Sequence, residues 1–452
     1  MNPIPTLLRA LLPGLLLGCA IAATAMADEQ TSPPQALSLE QAIDLAFEHN
    51  PDMAAAAERI GQAEAKVAEA AAAFYPKLVG RVGYSYSDDP ALAFSAIVSQ
   101  RRYNPAMDIN HPGFVENFRP EIAGAWSLFR GGSDYYRKKA AELGVAAAEL
   151  ERVALRNRLA ALVAAAYYAV LAAPQQLEVA RHSIKAVDSA LQHAQAAYQA
   201  GSLLKSDLLS LEVRRAQAGE TELHAINAVD LSRSGLQTLL GLETVDSLNL
   251  HEGGDTGQPV APAALEQLVT QALAQRAEMQ AAAHQVEMRQ KELAAEQGGH
   301  LPRVNAYTAY GLNSRSPDMN FKQDNLTLGV NAEMDLFAGG AIAARVSGAQ
   351  RKVAEAQALQ QRTRLEIEDE VRQAHANLRE AMARRGMAET AATAAEEALR
   401  LVQQQYRGGS ATVTRYLEAE ADRAQARMRQ VTARYEVWVQ QANLRKALGY
   451  WN

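Results

Sequence analysis

The feature that most constrains this chain is the stretch from Ala341 to Arg407, which contains no proline and only two glycines, Gly348 and Gly386. As one helix it would be about 100 Å long, at about 1.5 Å per residue. Small or apolar residues recur along it at spacings of four and three: Ile342, Val346, Ala349, Val353 and Ala356, then Ile367, Val371, Ala374, Leu378 and Ala381. This heptad-like seam predicts long helices wound on one another, not a globular core.

An internal repeat organises the rest of the chain. Leu39-Glu40-Gln41 recurs as Leu265-Glu266-Gln267, and Pro76 recurs at the same offset as Pro302. At a second constant offset, Phe129-x-Gly131-Gly132 matches Phe337-x-Gly339-Gly340, and Tyr198-x-x-Gly201-Ser202 matches Tyr406-x-x-Gly409-Ser410. The difference between the two offsets indicates a longer loop in the first copy. We predict structural repeats at 28–242 and 265–452, joined by a Gly/Pro/Asp-rich linker at 243–264.

Each copy begins with helical sequence, at 39–50 and 53–75 in the first copy and continuously over 265–297 in the second. Pro76 and Pro302 then end the helix, because the residue before a proline avoids helical geometry. Later in each copy a long helix is followed by a shorter one, at 133–200 and 203–240, then at 341–407 and 411–448. The turns between them offer a glycine to end one helix and a serine able to cap the next. Pro174 is expected to kink the first long helix.

Segments of alternating polarity lie between these helices. Leu326, Leu328, Val330, Ala332, Met334 and Leu336 alternate with polar or small residues, as do Val82, Tyr84 and Tyr86, and Ile122, Gly124, Trp126 and Leu128. Such strands, about 10 to 13 residues long, have the length and the two unlike faces of transmembrane barrel strands. A half-buried strand of a soluble sandwich would show the same alternation. An export signal at residues 1–27, described below, favours the membrane interpretation, as do the small number of strands and the long flanking helices.

Four strands cannot close a barrel, and open sheet edges are not tolerated in lipid. Several chains must therefore contribute to one barrel if these strands span a membrane. Aromatic residues near the strand ends are candidates for the membrane interface, although ordinary sheet packing would also place them there. They are Tyr84, Tyr86, Trp126, Phe129, Tyr310 and Phe337.

Residues 1–27 have the pattern of a signal peptide. Arg9 precedes an apolar run, and Ala25-Met26-Ala27 is a small-x-small cleavage site. Alternatively, Leu16-Leu17-Gly18-Cys19 resembles a lipoprotein cleavage box, in which Cys19 would be lipidated. The chain leaves the cytoplasm in either case. Cys19 is its one cysteine, so no disulfide framework is expected.

No enzymatic chemistry is predicted. The sequence shows no metal-ligand cluster among its nine histidines, no phosphate-binding loop and no nucleophile elbow, so no catalytic residue, cofactor or metal is expected. The net charge of −6 argues against nucleic acid as a partner.

The order, spacing and duplication of these motifs resemble the TolC-like outer-membrane efflux family over nearly all of the mature chain. The resemblance implies a mostly α, α+β fold, in which a coiled-coil α-barrel continues into a β-barrel of twelve strands, four from each chain of a homotrimer. It places the β-barrel in the outer membrane of a Gram-negative bacterium and the helices in the periplasm. Its implied partners are lipid, a periplasmic adaptor and an inner-membrane pump or ABC transporter.

The resemblance also implies particular site residues. Arg415, Glu418 and, in the first copy, Asp207 occupy the periplasmic constriction, where an Arg/Glu ring would pair charges between chains and hold the tip closed. Adaptor docking falls at Gly201-Ser202-Leu203 and Gly409-Ser410-Ala411. The function expected is a passive exit duct for efflux or type I secretion. A soluble periplasmic coiled-coil adaptor or scaffold is the alternative, and the sequence leaves the cargo, the pump class, the state of the tip and lipidation of Cys19 open.

Overall fold

The computed structural model describes residues 36–242, 250, 262–317 and 321–451. The predicted leader with Cys19, and nearly all of the predicted linker, lie outside the described residues. The elements in chain order are α1 Leu39–His49, α2 Pro51–Ala72, β1 Lys77–Ser87, α3 Pro90–Ser99, β2 Val115–Arg130, α4 Ser133–Gln199, α5 Lys205–Leu240, α6 Leu265–Gln275, α7 Ala277–Gln297, β3 Arg303–Leu312, β4 Asp324–Glu333, α8 Ala341–Arg407 and α9 Val413–Leu448. Single 3-10 turns lie at Gly298–His300 and Phe321–Gln323.

The four strands form one antiparallel sheet in the order β1-β2-β3-β4. Each hairpin comes from one copy of the repeat, and β2 pairs with β3 to join the two copies. Beside the sheet the helices lie in the order α2-α4-α7-α8, and farther away in the order α5-α4-α9-α8. The chain is therefore a piece of wall, and within the described residues β1 and β4 form its unpaired sheet edges while α5 and α8 lie at the corresponding helical edges.

The seam of α8 agrees with the prediction. The helix begins and ends at the predicted residues, and all ten seam positions are buried or half-buried. Its central part, from Ile367 to Ala381, packs with α6 and α9 around Val437. Burying small side chains at heptad spacing brings the helix backbones close together, which is how so long a helix obtains its stability.

The centre of α4 is a long apolar helical segment. By length and composition it alone among the described helices could cross a membrane. However, 61% of its most apolar 18-residue stretch is buried in the fold. Leu159, Val163 and Tyr167 pack there with α1, α5 and α9. This apolarity therefore belongs to the core of the helical wall. The helix continues through Pro174, and the predicted kink there stays a prediction.

The continuous helix predicted at 265–297 is wrong, because Arg276 separates α6 from α7. Arg276 matches Asn50, which separates α1 from α2, and both residues have φ −68° and ψ 127°. Asn50 precedes a proline and caps the next helix with its own side chain. Arg276 has no such local signal. Arg276 pairs with Glu278, two residues further on, and with Glu370, which is distant in sequence, and helical periodicity does not predict the second contact.

The Gly-Gly pairs form the corners between sheet and helix. Gly131, Gly132, Gly339 and Gly340 all have φ between 60° and 81°, a region that favours glycine. At the first corner a Cβ on Gly131 would collide with the carbonyl of Gly298. The corner therefore needs glycine for both its backbone conformation and its close contact with the end of α7.

Candidate functional site

One face of the sheet is apolar across all four strands. The strand registers place Val82 opposite Pro120, Ile122 opposite Tyr310 and Leu328 opposite Thr308, so these residues share one side. Val82 is 72% exposed and Leu328 is 70% exposed, and in the part of the chain that the structure describes nothing covers this face. A soluble sandwich would bury it against a second layer. Exposure of a continuous apolar face is instead what lipid contact requires.

A β-bulge corrects one detail of the predicted alternation. The register between β2 and β3 shifts between Ser127 and Phe129, so Phe129, rather than Leu128, lies opposite Val304. Leu128 is the extra residue of the bulge. The bulge thus brings the Phe129 ring to the face that carries Ile122 and Trp126.

The opposite face of the sheet is polar. Glu121 lies between Arg81, at 3.6 Å, and Arg119, and Arg303 pairs with Asp335 at 3.0 Å beside β4. Tyr307 also lies on this side, with its ring over Gly329 of the neighbouring strand. The two faces differ as the outer wall and lumen of a membrane barrel differ.

The predicted interface aromatics fall into two groups at opposite ends of the sheet. Tyr84, Tyr86 and Tyr310 lie toward the end remote from the long helices. Trp126, Phe129 and Phe337 lie toward the helices, where Trp126 Nε1 donates a hydrogen bond to the carbonyl of Phe74 at 2.9 Å. All six side chains are exposed. Their separation by the height of the sheet suits two membrane interfaces, and their role as anchors stays a prediction.

The two helical turns have the same geometry. Gly201 and Gly409, with φ of 73° and 74°, end α4 and α8, and the next amide in each turn donates back into the preceding helix. The prediction that the serines cap the following helices is wrong, because Leu204 and Thr412 occupy the cap positions. The hydroxyls of Ser202 and Ser410 donate to the carbonyls of Ala197 and Gln405, at 3.0 and 3.1 Å. Sequence reasoning assigned them to the wrong helix because serine serves both kinds of cap.

These turns leave polar groups at the surface and partly bury the residue that follows. Ser202 and Ser410 are exposed, whereas Leu203 and Ala411 are half-buried, Leu203 against the apolar cluster of Leu211 and Tyr416. Thr412 caps α9 through the amide of Arg415, whereas its counterpart Leu204 gives α5 no side-chain cap.

The three predicted constriction residues all lie just past these turns. Arg415 Nη1 and Glu418 Oε2 are 3.4 Å apart on α9, and both side chains remain more than half exposed. This pair forms within one helix, rather than between chains. Asp207 lies in the first turn of α5, near Tyr406. Burial, with the charge of Asp207 added, raises the pKa of the Tyr406 phenol.

A second charged group at the tip was missed from the sequence. Glu420 is 2% exposed and accepts a hydrogen bond from Arg423 at 2.9 Å. Tyr416, stacked on Tyr406 with ring centroids 5.3 Å apart, lies beside it. Burial raises the pKa of Tyr416 and the Glu420 charge adds to the effect. In sequence this pair looks like the exposed Arg415–Glu418 pair, since both have i,i+3 spacing, so only packing distinguishes them.

These features define a duct-forming wall, and the comparisons identify its family. The model of the outer membrane efflux protein family matches residues 42–242 and 268–450, so this chain belongs to that family. It is an outer-membrane protein whose helices extend into the periplasm. The resemblance is thereby confirmed, and with it the predicted mostly α fold, in which long helices continue into a four-stranded sheet.

Two curated relatives show the extent of the similarity. The chain is 25% identical over 345 residues to the alkaline protease secretion protein AprF of Pseudomonas aeruginosa, covering 75% of this chain and 67% of AprF. It is 26% identical over 355 residues to protein CyaE of Bordetella pertussis, covering 77% and 70%.

Solved structures share the fold. The outer-membrane channel OprN superposes with a TM-score of 0.77 at 19% identity, over 91% of this chain and 89% of OprN. VceC of Vibrio cholerae gives 0.74 at 20% identity, over 91% and 96%.

Proposed function

We propose that three copies of this chain form one continuous exit duct, with a twelve-stranded barrel in the outer membrane and twelve helices in the periplasm. The observation that carries this proposal is that the sheet and the helical wall both have unpaired edges, and that these edges lie on the same two sides of the chain. β1 and β4 end the sheet, and α5 and α8 end the helical wall on corresponding sides. Symmetric closure would pair β4 of one chain with β1 of the next and remove every edge from lipid. The number three follows from the family resemblance.

The exposed residues of α5 support closure through the helical edges as well. Val213, Leu223 and Leu231 are each more than half exposed. These residues would become buried if α5 of one chain packed on α8 of the next. An antiparallel coiled-coil contact of this kind continues the seam already formed by α8 and α9.

The duct is passive in this proposal, and cargo arrives from an inner-membrane transporter through a periplasmic adaptor that docks at the two helical turns. The docking surface consists of the exposed Gly-Ser turns and of Leu204 beside them. Leu204 is exposed and gives the start of α5 no side-chain cap. AprF is named for protease secretion, and PrtF of Dickeya chrysanthemi is likewise a proteases secretion protein. These similarities favour type I secretion of a polypeptide, with tripartite efflux of small molecules as the second candidate.

The soluble adaptor alternative is disfavoured by the sheet. An adaptor would need the apolar face of the sheet covered, and the described residues leave it open. Fractionation and semi-native electrophoresis test the choice directly. A duct gives a heat-modifiable trimer in the outer-membrane fraction, whereas a monomer in the periplasmic extract would overturn the proposal.

Arg415 and Glu418 are expected to restrict the periplasmic tip. Both side chains are more than half exposed. When three tips converge, each side chain could therefore leave its partner on the same helix and pair with a residue of a neighbouring chain. Arg415→Ala and Glu418→Ala should each raise single-channel conductance in a planar bilayer. The first should shift selectivity toward cations and the second toward anions, because ring charge sets ion preference.

Arg429→Ala is the matched control for the tip, since Arg429 is exposed on the same helix but far from the turn. It should leave conductance at the wild-type value. Unchanged conductance and selectivity in both tip variants would remove Arg415 and Glu418 from the constriction.

A further inference from the structure

The longer loop of the first copy is folded, and it crosses to the polar side of the sheet. Its helix α3 buries Ala93, Ala96 and Ile97 against Val115, the first residue of β2. Val115 lies opposite Ser87 and therefore projects to the side opposite Tyr86. Tyr86 stacks with Phe114 on the apolar side, with ring centroids 4.8 Å apart. The chain thus passes from the apolar side at Phe114 to the polar side at Val115, and α3 packs on the polar side.

Hydrogen bonds hold the end of α3 at this position. Gln100 is fully buried, and its Nε2 donates to the carbonyl of Glu116 at 2.7 Å and to Asn117 Oδ1 at 3.1 Å. Gln323 donates to the carbonyl of Gln100 at 2.9 Å, from the second copy of the repeat. The end of α3 is therefore attached both to the start of β2 and to the segment that leads into β4.

Arg101 shows that this position is imposed on the loop. Its φ of 58° makes it the one non-glycine residue with positive φ among those described. Such a conformation persists only where surrounding contacts enforce it. Arg101 Nη2 donates to the carbonyl of Asp324 at 3.0 Å, the first residue of β4. The attachment across the sheet compensates for the unfavourable backbone.

The opposite face of α3 is uncharged and uncovered. Leu92, Ser95 and Val98 project from it at helical spacing, with Leu92 63% exposed and Val98 44% exposed. The helix contains no charged residue. An apolar helix surface on the polar side of a barrel would face water in the lumen unless something covers it.

The dimensions of the proposed duct indicate what covers it. Twelve strands about 4.8 Å apart, tilted by about 40°, enclose a barrel about 24 Å across between backbones. A helix with its side chains is about 10 Å thick. Three such helices, each packed on the inner wall, would fill this cross-section and meet at its axis. The absence of charge on α3 lets identical copies approach without repulsion.

We propose that Leu92, Ser95 and Val98 contact the same residues of the two other chains on the barrel axis and so close the outer mouth of the duct. This inference rests on the trimeric duct proposed above. It assigns the longer loop of the first copy a role in the passage of cargo, since cargo would have to separate the three helices to leave.

Cysteine cross-linking tests this contact. Ser95→Cys and Val98→Cys in outer-membrane vesicles, oxidised with copper phenanthroline, should each give a band at twice the chain mass that disappears on reduction. Phe114→Cys is the matched control, because Phe114 belongs to the same loop but lies on the apolar side of the sheet; it should give no such band. Wild type should give none either, since Cys19 lies in the predicted leader.

Unboiled samples separate the two proposals. If all variants migrate as heat-modifiable trimers, and a small maleimide labels Ser95→Cys and Val98→Cys without any cross-linked band, the α3 contact is wrong and the duct stands. If wild type itself forms no trimer, the duct proposal fails.

Discussion

Leu328→Arg is expected to abolish assembly of the protein in the outer membrane. Leu328 lies near the middle of β4, on the apolar face, and its side chain meets no covering layer among the described residues. Arginine on the lipid side of a barrel strand at mid-bilayer costs about 2–4 kcal/mol. A trimer would incur this cost in each chain. The measurement is the amount of heat-modifiable trimer in the outer-membrane fraction, compared with wild type.

Thr327→Arg is the matched control, because Thr327 is the preceding residue of the same strand. It lies opposite Ala309 on the polar face, which already carries Arg81 and Arg119. An additional cation there would meet water in the lumen, so trimer yield should stay close to wild type. Equal yields for Leu328→Arg and Thr327→Arg would contradict the assignment of the two faces.

Arg276→Ala is expected to destabilise the helical wall by about 3 kcal/mol, because it removes one partner from a buried ion network. The Arg276 side chain is 8% exposed and pairs with Glu278 and Glu370, and Lys446 contacts Glu370 at 2.6 Å. The network thus attaches the break between α6 and α7 to two other helices, α8 through Glu370 and α9 through Lys446. The measurement is the midpoint of thermal unfolding of the detergent-solubilised protein.

Arg289→Ala, on the helix α7 that follows Arg276, supplies the comparison. Arg289 pairs with Glu292 at 2.8 Å, and both side chains are more than a third exposed. A surface pair of this kind contributes about 0–1 kcal/mol, so its loss should change the midpoint little. Similar midpoints for the two variants would show that the Arg276 network does not hold the wall.

The effect of Arg276→Ala should also depend on pH. Burial alone would raise the pKa of the Glu370 carboxyl, but hydrogen bonds from Lys446 and Arg276 outweigh it and hold the pKa below its usual value of 4.5. A carboxyl with a lowered folded-state pKa contributes stability above its usual pKa and loses it as pH falls through the lowered value. The difference in unfolding midpoint between wild type and Arg276→Ala should therefore be largest near neutral pH and shrink in acid.

The two restrictions proposed for the duct would work by different physical means. At the periplasmic tip the candidate residues are charged, and salt would screen their pairing. At the outer mouth the candidate surface is uncharged, so separating the α3 helices exposes apolar area to water. Salt should therefore modulate the tip far more than the outer mouth.

Several features of this protein could be predicted from the sequence alone. The seam of α8, the alternation of β4 and the duplicated turn motifs are periodic or repeated patterns, and each extends over many residues. A long pattern averages out local exceptions, so element type and order follow from it. The unlike faces of the strands, and with them the need for several chains, follow from the same local periodicity.

The tertiary structure decided the features that depend on partners distant in sequence. Arg276 lies at a helix break where it pairs with Glu370, a carboxylate that Lys446 also contacts, and Gln100 holds α3 across the sheet through contacts with Glu116 and Gln323. The bulge at Leu128 depends on its pairing with β3. Periodicity predicts which side of an element is apolar. Buried polar contacts form only where the folded chain brings specific atoms together, so a local sequence pattern does not predict them.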